Sequence, residues 1–85
     1  MLTENILLGT HNVHGKGVRI HEKLEYRAED RTVVRTCHIA RQRLWGLLPV
    51  KETVSSSVLR IPEDITTEDQ LRDFICRKRF WRRPL

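Results

Sequence analysis

Aromatic residues are few in this chain of 85 residues: Tyr26, Phe74, Phe80, Trp45 and Trp81 are all there are. Any core must therefore be filled by Leu, Ile and Val, and it must be thin, in a chain near the lower size limit for folding on one core. Domains this small often gain burial by pairing, which keeps a homodimer among the expectations. Cysteine is scarcer still. Cys37 and Cys76 lie far apart with no CxxC spacing, which excludes a disulfide framework of the secreted kind and reads as two reduced thiols. At least one of them is expected to be a small core residue. Long apolar runs are missing. Ile6-Leu7-Leu8 is too short to span a bilayer, and the start has no basic stretch followed by an apolar one, so a cytoplasmic protein without membrane insertion is expected. Internal repeats and long linkers are also lacking, and residues 1–85 read as one domain. With 39% apolar and 32% charged residues the balance is globular.

What is present is a strongly uneven charge. The chain holds 16 Lys and Arg against 11 Asp and Glu, a net charge of +5. Five of the bases fall in the last nine residues (Arg77, Lys78, Arg79, Arg82 and Arg83), which contain no acid; the eleven bases before them balance the eleven acids. A concentrated patch makes a local positive potential that draws phosphates or acidic protein surfaces, while a neutral body takes no part. Phe80 and Trp81 lie inside the same run. Arg41, Arg43 and Trp45 form a second, smaller basic-aromatic group that could extend that surface, although Trp45 beside Leu44, Leu47 and Leu48 reads better as core or dimer interface.

Periodicity sets the fold class. Over Val18–Arg27, Val18, Ile20, Leu24 and Tyr26 share one face with Glu22 as the only polar intruder, and Arg19, His21, Lys23, Glu25 and Arg27 share the other. That period of two predicts a half-buried antiparallel strand. Ala28-Glu29-Asp30-Arg31 reads as a short turn into a second β-branched run, so a hairpin pairing 18–27 with 32–40 is expected. Residues 37–48 fit either a prolonged strand to about Arg43 or a helix, and Pro49 ends either. Thr, Ser and Val over about 50–61 predict a further strand. Ile6-Leu7-Leu8 fits a buried strand or a frayed start, and Gly9–Gly17 reads as a loop because Gly, His and Asn cluster there. Thr67-Glu68-Asp69-Gln70 fits a capping box opening a helix over about 67–81, with Leu71, Phe74 and Ile75 as its buried face. The expectation is α+β: an antiparallel sheet of three to four strands with a C-terminal helix on one face.

Three chemical patterns read as structure rather than function. Gly15-Lys16-Gly17 fails the phosphate-loop pattern, which needs Gly where Thr10 stands and Ser or Thr where Gly17 stands. His11, His14 and the adjacent Cys37-His38 do not make converging ligand pairs, since neighbours on a strand point to opposite faces, so no metal or other cofactor is expected. His21 and His38 could face each other across the hairpin as a general acid–base pair, with Glu22, Glu25 or Arg35 nearby, but a cross-strand pair on a solvated face is the ordinary alternative. The expected function is therefore non-enzymatic: a small accessory or regulatory protein that grips a DNA or RNA backbone at Arg77, Lys78, Arg79, Arg82 and Arg83. Phe80 and Trp81 would stack on bases or sugars, and Arg41 and Arg43 would widen the surface. The alternative is an interaction module, a small phage- or plasmid-type regulator or inhibitor, whose aromatic and Arg side chains anchor an acidic protein partner.

Overall fold

A computed structural model describes residues 2–41, 51–83 and 85. Among them the chain forms four strands, β1 (Ile6–Gly15), β2 (Val18–Arg27), β3 (Thr32–Arg41) and β4 (Lys51–Arg60), and one helix, α1 (Glu68–Arg77). The strands run as an antiparallel meander in the order β1-β2-β3-β4, which leaves β1 and β4 as the edges. This is the α+β architecture expected from the periodicities. The question of how 37–48 continues stops at Arg41, because residues 42–50, with Arg43 and Trp45, lie outside the described residues.

The central hairpin is in the expected register, with Arg27 opposite Thr32 and Tyr26 opposite Val33. Its connector lacks Gly because Arg31 itself takes the left-handed conformation, at φ 51°. The cost of that conformation is offset locally. The Arg31 guanidinium donates to the carbonyls of Pro62 (2.7 Å) and Ile65 (3.0 Å), and its own carbonyl accepts from Ile61 N (2.9 Å). One turn residue thus pins the connector that delivers the helix.

The expected loop at Gly9–Gly17 is instead most of β1 and its turn. Gly15 lies opposite Val18 and only Lys16-Gly17 remain outside the ladder, Gly17 supplying the positive φ (72°) that the tight turn needs. A bulge between Leu7 and Gly9 shifts the register so that Gly9 faces Leu24. A Cβ added at Gly9 would meet Trp81 Nε1 at 3.5 Å, an ordinary van der Waals contact, so the Trp81 ring lies directly over this part of the strand.

Cross-strand partners share a face, and the register therefore sorts the sheet. Leu24, Tyr26, Val33 and Leu59 lie on the face that α1 covers. Thr10, Asn12, His21, Lys23, Thr36, His38, Val54 and Val58 lie on a bare face. A ten-residue helix is about 15 Å long and a ten-residue strand about 33 Å, so α1 covers only the end of the sheet that carries Tyr26 and Val33. There Leu71, Phe74 and Ile75 pack on Leu24, Tyr26 and Val33 as expected, joined by Leu2, Leu8, Ile61, Ile65 and Trp81. The N-terminal segment is tied in by Tyr26 Oη donating to Leu2 O (3.1 Å) and Ala28 N donating to Asn5 Oδ1 (3.0 Å).

The helix begins as its sequence dictates. Thr67 Oγ1 accepts from Gln70 N (3.2 Å) and Gln70 Oε1 accepts from Thr67 N (3.3 Å), a complete capping box. Arg72 links it to the sheet, bonding Glu68 (2.8 Å) and donating to Leu8 O of β1 (3.2 Å). The helix ends earlier than expected from the charge pattern. After Lys78 the backbone turns left-handed at Arg79 (φ 53°), Phe80 N donates to Ile75 O (3.2 Å) and Arg79 N to Cys76 O (3.1 Å). This pair of bonds is a Schellman closure, and it sends the last residues back across the sheet instead of onward into solvent.

Candidate nucleic-acid interface

The left-handed turn decides where each tail residue goes. Phe80 follows it and is half-buried against the core, the apolar contact that usually accompanies such a closure. Trp81 then drops onto β1 over Gly9 and is only 5% exposed. The expectation that Trp81 stacks on bases is corrected by this burial, because its ring faces are already occupied by the core. The helical pairing of Arg79 with Arg83, and of Lys78 with Arg82, does not form either, since the chain is no longer helical beyond Arg77.

The bases are arranged around that buried Trp. Arg79, Arg82 and Arg83 line one open cleft of about 660 Å³, with Cys76 and an edge of Trp81 as its remaining walls. Arg83 reaches Glu22 on β2 (4.0 Å), and Glu22 also lies 3.9 Å from Arg35. Glu22 was the polar intruder in the apolar face of β2, and its place in the fold explains it: it anchors the returning tail. The Nε of Arg83 is buried and makes no hydrogen bond within the described residues. Arg77 stays on the helix in an i,i+4 pair with Asp73 (3.0 Å), and Lys78 lies over the Phe74 ring at 5.7 Å. Among the described residues, no acid pairs with Lys78, Arg79 or Arg82.

Arg41 is exposed at the far end of β3, on the same face as the cleft. It lies opposite Val18, four residues along β2 from Glu22, or roughly 13 Å at strand rise. The cleft and Arg41 are therefore separate positive points on one face. On the bare face His21 and His38 do lie opposite each other, with ring centroids 6.3 Å apart. Each has a neighbour of its own: His21 Nδ1 contacts Asn12 Oδ1, and His38 Nδ1 lies 3.5 Å from Glu52. Among the described residues, no three of His, Cys, Asp and Glu converge as metal ligands do, and no helix is long and apolar enough to cross a membrane.

Sequence reasoning named the bases of the cleft but missed Glu22 and Cys76. Glu22 carried a signal, a carboxylate in an otherwise apolar register. Cys76 carried none, since its position follows from where the helix stops. No family model, curated protein or solved structure matches this chain.

Proposed function

We propose that the chain is a non-enzymatic nucleic-acid-binding protein whose C-terminal cleft grips the phosphate backbone through Arg79, Arg82 and Arg83, with Lys78 and Arg77 on its rim. The observation that supports this reading most is the conformation of Arg79. A non-glycine residue in the left-handed region costs of order 1 kcal/mol, and Gly is the usual occupant of that closure position. Keeping an arginine there holds its guanidinium beside Arg82 and Arg83, three cations whose mutual repulsion a bound polyanion relieves.

The recognition has a definite character. Trp81 is buried and Phe80 half-buried, so stacking on unpaired bases is a minor part of the binding. The contacts are to phosphates, which position a protein on a nucleic acid without reading its sequence. A duplex backbone of either DNA or RNA satisfies them.

The test is equilibrium binding to mixed-sequence DNA and RNA, single- and double-stranded, titrated over roughly 50 to 200 mM salt. Wild type is compared with Arg79→Ala/Arg82→Ala. Truncation at Cys76 is not equivalent, because it removes Trp81 from the core along with the charges. The expected result is salt-sensitive binding that weakens alike for all sequences in the variant, with a log–log salt slope shallower by about 1 per lost phosphate contact. Absence of binding at low salt would sink the reading and direct the search to an acidic protein partner.

A further inference from the structure

The two edges of the sheet are built differently. β1 carries a bulge, and the Leu8 carbonyl at that bulge accepts from Arg72. Bulges and side-chain cover are the ordinary ways of keeping an edge from pairing with another chain. β4 has neither. Its ten residues pair regularly with β3 from Arg41–Lys51 to Thr32–Arg60, with no proline, and its only charges, Lys51, Glu52 and Arg60, sit at its ends. It also carries two exposed valines on the bare face, Val54 at 57% and Val58 at 62%.

We propose that β4 pairs antiparallel with β4 of a second copy of this chain, with Ser56 on the two-fold axis, making one continuous sheet across the dimer. Two rules of strand pairing limit the register. Residues directly opposite each other must lie on the same face and must both point their backbone groups toward, or both away from, the partner. For two identical strands this forces the axis through a residue. With the axis at Ser55, Glu52 would meet Val58 of the other copy. With the axis at Ser57, Val54 would meet Arg60. With the axis at Ser56, Glu52 meets Arg60 and Val54 meets Val58, each twice by symmetry, and Thr53 meets Leu59 on the other face. This register alone among the three matches charge with charge and valine with valine. The two-fold axis makes the contact isologous and uses the β4 edge of both copies, so pairing through this edge closes at two copies instead of growing into a fibre.

The occupant and the register can be tested together. Wild type is expected to run as a dimer by sedimentation equilibrium. Glu52→Arg and Arg60→Glu each replace two attractive pairs by two repulsive ones and are expected to weaken the dimer by about tenfold or more. An equimolar mixture of these two variants restores both pairs and is expected to recover dimer as a heterodimer. In a Cys37→Ser/Cys76→Ser background, oxidation of Ser56→Cys is expected to give a covalent dimer and Val54→Cys is not, because only residue 56 meets its own copy at disulfide range. Circular dichroism on every variant separates loss of pairing from loss of fold. A wild-type monomer at high concentration overturns the proposal. So does a dimer that ignores both charge changes, or one in which Val54→Cys cross-links and Ser56→Cys does not.

Discussion

The covered end of the sheet and its bare end are made from the same four strands, yet they differ in every physical respect. At the covered end Leu24, Tyr26 and Val33 are fully buried beneath Leu71, Phe74, Ile75 and Trp81. At the other end Ile20 and Ile39 share the same face but are only half-buried, and Val13 is exposed. The strands run on beyond the reach of a short helix. The difference teaches that stability is concentrated at one end, and that the proposed binding residues ride on that end. The tail is not an appendage. Trp81 belongs to the core, and the arginines are positioned because it does.

Substitutions that attack this contrast should rank accordingly. Trp81→Ala is expected to destabilise the fold by about 3–5 kcal/mol and Leu24→Ala by about 2–5 kcal/mol, as core truncations do, read by urea unfolding monitored by circular dichroism. Against net stabilities of order 5–15 kcal/mol, either could leave the chain largely unfolded on warming. Thr67→Ala removes one side of the capping box and should cost about 1 kcal/mol, seen as a lower midpoint with an unchanged denaturant slope. Ile20→Ala, the same kind of change at the bare end, should cost below about 1 kcal/mol because little of its surface leaves water. If Ile20→Ala proved as damaging as Leu24→Ala, the division of the sheet into two unequal ends would be broken.

The same division explains what was legible in the residues. The 18–27/32–40 hairpin stood out because its covered half gives a clean apolar and polar alternation. The capping box and the buried helix stripe were readable because both are local patterns. The greater part of β1 was not, because Thr10, His11, Asn12 and His14 lie where neither face is covered by the helix, so no hydrophobic period marks the strand beyond Ile6-Leu7-Leu8. The early helix end was hidden for another reason. Nothing local distinguishes Arg79 from the bases around it, and its left-handed turn follows from Phe80 and Trp81 finding the core. The proposed cleft inherits both cases: its charges could be counted in the chain, but their convergence depends on a turn and on Glu22, residues brought together only by the fold.

The claim that Arg79 is held in an unfavourable conformation for the sake of binding is tested most directly by Arg79→Gly, with thermal unfolding and salt-titrated duplex binding measured on the same preparation. The account predicts opposite signs. Stability should rise by about 1 kcal/mol, a shift of roughly 4–8 °C for a domain of this size, while affinity for nucleic acid falls and its salt dependence becomes shallower. A variant that is more stable and binds as tightly as wild type would contradict the central role given to that arginine.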